Sequence, residues 1–259
     1  MSPKFQTTGE EIVETSSSTK FNLEVAKGNI TGLLTVHKFG SNPSLAADTP
    51  EDVWSTGGLI SFNTSNQSIE ILGSSDDILT TGTGAWTVTV IGQSIAGTEQ
   101  TETKSMNGVT PVALSNTYSH IYRAYVGLTG TAGTNVGDIV VRIAGAGATQ
   151  LTINAGMGQS LMAMYRIPVG YTGFVERWEC GIVGKTFAKV ENLMLARKVG
   201  EAWRVKDLIG TSSSGSSFVS KNYVYPLAYP ALTEIVIRAE SDTNATGVSS
   251  TFDITLVAD

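Results

Sequence analysis

Cysteine and histidine are nearly missing from this 259-residue chain, which holds one of the first and two of the second. The lone thiol, Cys180, excludes an intramolecular disulfide and a cysteine-rich structural metal site, and it reads as a small buried apolar residue. Nucleophile–base pairs and zinc centres draw heavily on Cys and His, so little chemistry is open to the chain. Charge is also scarce: Lys, Arg, Asp and Glu make up 15% of residues, against a usual share of roughly a quarter. The balance is acidic, −6, and shows no clustered basic stripe. That argues against a nucleic-acid grip and a polybasic membrane contact. No run approaches the ~20 apolar residues that cross a bilayer. The segment Met1–Glu10 lacks the apolar core of a signal peptide, so the chain is expected to be made and kept in a cytoplasm, or released by lysis.

What the chain does have is a succession of short runs rich in Thr, Val and Ile, separated by turns drawn from its 28 glycines and from serines. Ala85–Ile91, Asp138–Ile143, Thr233–Arg238 and Phe252–Val257 are examples. β-branched and aromatic residues suit a pleated, half-buried surface, and alternation sends every second side chain to one face. In the first of these runs Trp86 is placed on the core side with Val88 and Val90, opposite Thr87 and Thr89. Turn signals recur roughly every 8–15 residues, near the spacing of a sandwich or barrel. The pattern predicts an all-β protein, a β-sandwich of jelly-roll or related type. Residues 1–57 read as an extended N-terminal arm and anchoring segment, with a short strand near Leu33–Val36 and Trp54 at its end. Residues 58–259 read as the sandwich, divided into lobes near the Ser-rich stretch 211–217. A short helix is the one alternative to strand over Gln159–Met164.

Motifs of chemistry are few. Gly181-Ile182-Val183-Gly184-Lys185-Thr186 has two residues between its glycines where a phosphate loop needs four, and strand-like flanks, so it reads as a hairpin turn. Asp242, Asn244 and Asp253, with Gly247 between, approach the spacing of a calcium loop. A Thr at the fifth position, a short Asp at the twelfth and strand flanks oppose that reading, and a polar turn explains the same residues. Asp76, Asp77, Glu99 and Glu102 are the carboxylates that glycoside hydrolysis would use. Consecutive Asp residues in a turn ordinarily cap backbone N–H groups, however, and Glu99 and Glu102 fall on opposite faces of a strand. His120, among Tyr118, Tyr122 and Tyr125, is expected to be a packed ring. Tyr223, Tyr225 and Tyr229 are candidates for a partner surface together with Trp54, since tyrosine is favoured where one end is dry and the other wet. No catalytic residue, cofactor or metal is assigned.

Several strings resemble a group of structural virion proteins of tailed phages, many of them marine. They are Ile30–Gly40 with Lys38-Phe39-Gly40 and Asn42, Glu51-Asp52-Val53-Trp54, Gly57-Gly58, Ser74-Ser75-Asp76-Asp77, Gly82–Gly92, Glu102 with Asn107-Gly108, and Pro226-Leu227 through Glu234–Arg238 to Phe252-Asp253. The likeness runs over most of residues 28–258. It implies a component of the virion, foremost a capsid decoration or cement protein. The chain is expected to form a homotrimer, to bind the major capsid protein or another virion protein, and to be made in the cytoplasm of an infected host cell. A tail or fibre component that binds a host surface glycan is the alternative, and a glycan-cleaving enzyme built on Asp76, Asp77 or Glu102 a distant third. The resemblance carries no catalytic residues. Residues 1–20, polar and without apolar periodicity, are expected to order only against a partner.

Overall fold

In the computed structural model, residues 21–184 and 187–259 are described. The first twenty residues, expected to be the tip of the arm, lie outside them, as do Lys185 and Thr186 of the expected hairpin turn. The described chain opens on a short helix, α1 (Phe21–Ala26), and then contains only strands. In order these are β1 (Leu33–Leu45), β2 (Glu51–Asp52), β3 (Gln67–Leu72), β4 (Thr87–Gln93), β5 (Glu99–Ser105), β6 (Val112–Tyr118), β7 (His120–Val126) and β8 (Ile139–Ile143). There follow β9 (Thr149–Ile153), β10 (Met164–Arg166), β11 (Tyr171–Val183), β12 (Lys189–Lys198), β13 (Arg204–Ser212), β14 (Phe218–Tyr229), β15 (Thr233–Ser241) and β16 (Thr246–Ala258).

The fold is all-β and built from sandwiches. One sheet runs β1-β16-β11-β14, and the sheet facing it runs β10-β15-β12-β13 with β2 added on β15. A smaller pair, β6-β3-β8-β9 and β5-β4-β7, is formed entirely by residues between β2 and β10. The smaller sandwich is thus inserted into the larger one, whose strands come from both ends of the described chain. Pairing is antiparallel within every sheet.

Strand β16 shows how the sequence produces this. Val248, Ser250, Phe252, Ile254 and Leu256 are buried, while Ser249, Thr251, Asp253 and Thr255 point to the other face and are partly exposed. Against that apolar face lies Trp178, fully buried, whose indole Nε1 donates to Ser250 Oγ at 3.0 Å. Side chains of this size each contribute on the order of 1.5–3 kcal/mol by leaving water. Cys180 is buried beside them, as expected, and burial pushes its thiol up to about 12.

Four sequence expectations give way. First, residues 33–45 are not a segment lying outside the fold. β1 pairs with β16 from Leu33 opposite Val257 to Leu45 opposite Thr246. It also passes so close to its neighbours that a Cβ on Gly40 would sit 2.2 Å from the Ala163 nitrogen. Apolar residues are sparse in β1 because one face is solvated and one edge is shared, and that sparseness concealed a long strand. Second, the stretch 211–217 does not separate lobes; it carries the chain from β13 in one sheet to β14 in the facing one. The division falls instead at the two connections, near 55–66 and 154–163. Third, the helix alternative for 159–164 gives way to the strand reading kept beside it: the stretch is extended and leads into β10, and the helix is α1. Fourth, Trp86 is only half-buried: it precedes β4 and closes a loop by donating from Nε1 to the Gly82 carbonyl at 2.8 Å. Val88 and Val90 are fully buried, and Ala85 takes the buried place one position earlier.

Candidate functional site

Of the four carboxylates considered for catalysis, Asp77, Glu99 and Glu102 are bound up in the framework, while Asp76 is exposed. Asp77 is fully buried and accepts five hydrogen bonds: from the N–H and Oγ of Ser74, and from the N–H groups of Ala85, Val136 and Gly137. Burial alone would raise its pKa, but these donors outweigh burial and hold it below the ordinary Asp value. Asp76 contributes its backbone carbonyl to the same loop, accepting from the Gly84 N–H at 2.9 Å. Glu102 reaches from β5 to the opposite sheet of the small sandwich. There it accepts the N–H groups of Ser115 (2.7 Å) and Asn116 (2.9 Å), which lie on β6. Against the upward push of burial, these donors and Lys104 bring it down to about 2. Glu102 therefore stands in for a neighbouring strand along β6. Glu99 points elsewhere, accepting from the hydroxyls of Tyr122 and Tyr165.

The calcium-like spacing does not assemble. Asp242 Oδ1 accepts from the Lys189 N–H, and Asn244 Oδ1 from the Ala47 N–H, both at 2.8 Å. Asp253 lies midway along β16, paired with His37 and with Arg177 Nε at 2.8 Å. Each side chain serves a different strand junction. Among the described residues no three His, Cys, Asp or Glu side chains group as metal ligands do.

The proposed partner residues separate by environment. Trp54 is a core residue, 3% exposed, with Nε1 donating to the Gly58 carbonyl. Tyr229 is 5% exposed, its hydroxyl directed at Met194 Sδ. Tyr223 is half-buried and donates to Asp207 Oδ2 at 2.7 Å, beside Lys221 on Oδ1. These three pack within the protein. Tyr225 alone is presented to solvent, 86% exposed, next to Val224 at 88%. The cause is a break in register: β14 pairs Leu227 with Val175 and Asn222 with Arg177, so 223–226 swing away from β11. β14 is an edge of its sheet and β13 an edge of the facing one. Val205, Leu208 and Phe218 on these two strands are also exposed, so one flank of the large sandwich carries a broken apolar surface.

A junction that the sequence concealed joins the two sandwiches. His120 on β7 and Glu234 on β15 are each about 1% exposed in the side chain and touch through Nε2 and Oε1. Glu234 Oε2 accepts from Arg197 Nε at 2.7 Å, and Arg197 stacks over Trp203, its guanidinium carbon 4.3 Å from the ring centroid. Arg166 Nη1 lies 3.0 Å from His120 Nδ1. An arginine only donates, so Nδ1 must be the bare nitrogen and Nε2 carries the proton toward Glu234. His120 is therefore neutral beside an ionised Glu234. Burial, with Arg166 and Arg197 nearby, holds the imidazole below its ordinary value despite the carboxylate. Its ring also packs against Phe62, as the packed-ring expectation had it. Lys38 completes the contact: buried on β1, it donates from Nζ to the Tyr122 carbonyl at 2.6 Å, and burial pushes it down to about 7. Single charged residues scattered between Lys38 and Glu234 give no local signal of such a cluster.

This geometry sets a pH dependence. A histidine whose folded pKa is depressed contributes stability that is complete above its unfolded value, near 6.5, and is lost as pH falls toward the folded value. Thermal unfolding should therefore lose stability below about pH 6.5, by up to about 1.4 kcal/mol per pH unit for this one group. His120→Gln should flatten that limb. An unchanged pH profile in the variant would mean that His120 is not its source.

No known protein family matches the chain, and no curated protein matches it. Among solved structures, a chain from the structure of infectious bursal disease virus Gt strain aligns over 88% of this chain and 82% of its own. It does so at 9% identity and a TM-score of 0.13, a likeness too slight to carry any argument.

Proposed function

We propose that this chain is a structural virion protein of a tailed phage that decorates the capsid and cements neighbouring shell subunits by non-covalent adhesion. The observation that carries this reading is the exposed flank of β13 and β14, where Val224 and Tyr225 stand at 88% and 86% exposure at the edge of a sheet. Unpaired edges invite pairing with other chains, and exposed aromatics are the side chains on which interfaces most often depend. The resemblance of the sequence to virion proteins supports the same reading. So does the use of Asp77 and Glu102 in holding the fold, which leaves the glycan-cleaving reading without two of its three carboxylates. Its partners would be further copies of itself, as a homotrimer, and the major capsid protein. It would be made in the infected cell and reside on the particle.

Purified protein should scatter light as about three chains and should bind expanded capsids, raising their melting temperature by mass action on the assembled state. Because apolar and small polar side chains dominate this flank, binding should depend only mildly on salt. Val224→Asp with Tyr225→Asp should weaken capsid binding at least tenfold without unfolding the chain. A stable monomer without affinity for capsids would refute the proposal. A second reading, a tail or fibre component that binds a host surface glycan, draws on Tyr225, whose exposed ring offers a stacking face to a sugar. Antibody labelling of particles would separate the two by location.

A further inference from the structure

At one end of the large sandwich a cleft of about 390 Å³ opens between the facing sheets, bordered by the last residues of β12, the start of β13, the start of β15 and the end of β14. Its volume falls within the roughly 300–1,000 Å³ of small-molecule sites. Lys198, Arg204 and Lys206 stand around it, exposed, with Leu227 and Tyr229 of the other sheet. On a chain of net charge −6 this is an unusual gathering of cations. The carboxylate that borders it, Glu201, approaches Arg204 at 3.5 Å. Among the described residues Lys198 and Lys206 form no ion pair.

The strand registers account for the gathering. Met194, Ala196 and Lys198 alternate along one face of β12, and that face is turned to β14, since the Tyr229 hydroxyl is directed at Met194 Sδ. Thr233 pairs directly with Lys198, and Arg204 with Ala196, so their side chains share this face. Lys206 is the extra residue where β13 shifts register against Met194 and Leu195. The face that is apolar in the core therefore turns cationic at the end of the sandwich. Beside Lys198, Thr233 also borders the cleft; it is 4% exposed, and its Oγ1 has no hydrogen-bond partner among the described residues. A buried hydroxyl left without a partner is costly and uncommon in a native fold.

We propose that the cleft binds the acidic sugar units of a polysaccharide. The sugar carboxylate meets Lys198, Arg204 and Lys206 in charge-assisted hydrogen bonds. The apolar face of the ring lies against Leu227 and Tyr229, and a ring hydroxyl accepts from Thr233 Oγ1 once the Lys198 side chain turns to the ligand. Glu201 selects the class of anion: it repels a bare phosphate or sulfate but accepts from the hydroxyls of a sugar. A nucleic acid is disfavoured, because the cations form one short cluster and no stripe. The proposal rests on neither placement of the chain on a particle, and it uses the paired end of β14 in place of Val224 and Tyr225.

Calorimetric titration of the full chain with trigalacturonate, neutral galactotriose and glutarate tests it, with amine acetylation mapped by mass spectrometry. Trigalacturonate should bind at least tenfold more tightly than either of the others, and severalfold more weakly at high salt, since the cations stand in solvent. It should protect Lys198 and Lys206 from acetylation but leave Lys27 and Lys189 as reactive as before. Lys198→Gln with Lys206→Gln should weaken binding at least tenfold at an unchanged melting temperature. Thr233→Val should weaken it severalfold while the melting temperature stays level or rises, because a methyl replaces a hydroxyl that no protein group satisfies. Glutarate binding as tightly as trigalacturonate would make the cleft a site for any carboxylate, and galactotriose binding as tightly would leave its cations without a part. Either result overturns the proposal, as does a lack of binding at millimolar trigalacturonate or binding without protection of Lys198 and Lys206.

Discussion

Asp77→Ala should be among the most damaging single substitutions in this protein, costing about 3–5 kcal/mol, since it removes a buried charge and leaves its donors without an acceptor. The five donors come from three stretches distant in sequence: Ser74, Ala85, and Val136 with Gly137. One carboxylate thus replaces the secondary structure those loops lack. Asp77→Asn should recover little, because one acceptor oxygen becomes a donor that faces other donors. With its folded pKa depressed, Asp77 contributes stability that is present above the unfolded Asp value, near 3.9, and is lost as pH falls through the folded value. Urea unfolding followed by tryptophan fluorescence would measure the cost, with Trp86 beside the loop as a local reporter. A loss below about 1 kcal/mol, within the range of an ordinary surface change, would show that the loops hold without it.

Glu234→Ala should cost a similar amount, about 3–5 kcal/mol, by a different route. The side chain it removes is the acceptor between His120 and Arg197, and truncation strands a buried imidazole N–H and leaves the partly buried Arg197 guanidinium without its carboxylate. Because β15 belongs to the large sandwich and β7 to the inserted one, the damage should concentrate at their junction. Hydrogen exchange should rise first near 55–66 and 154–163, ahead of the strands of either sheet pair. Glu234→Gln, which keeps shape and one acceptor, should be milder. Uniform loss of protection through the large sandwich, with the connections unchanged, would mean that Glu234 stabilises its own sheet and not the junction.

The strand content was legible because it rests on local causes. β-branched alternation in 87–91, 139–143, 233–238 and 252–257 is visible in any short window, and those strands form where the pattern places them. β6 escaped notice because its burial is weak, Leu114 and Tyr118 being its only buried side chains, and a register shift interrupts its pairing with β3. The site residues divide in the same way. The turn-capping role expected of Asp77 follows from its place in an Asp-Asp turn, although nothing nearby announces Val136 and Gly137 as its partners. The tyrosines could be named as a group but not sorted, because Tyr225 lies inside a register break while Tyr229 lies beyond it in the paired strand.

Composition and periodicity by themselves determined that this chain is all-β and that Cys180 is buried. These are properties of residue type and nearest-neighbour spacing. Only the tertiary structure decided that β1 belongs to the large sandwich, that a second sandwich is inserted between β2 and β10, and that His120, Arg166, Arg197 and Glu234 share one buried network. Those facts depend on pairings between residues some 40 to 220 positions apart. Their free energy comes from burial and hydrogen bonds made after the chain has closed on itself, and such contacts leave no local pattern in the sequence.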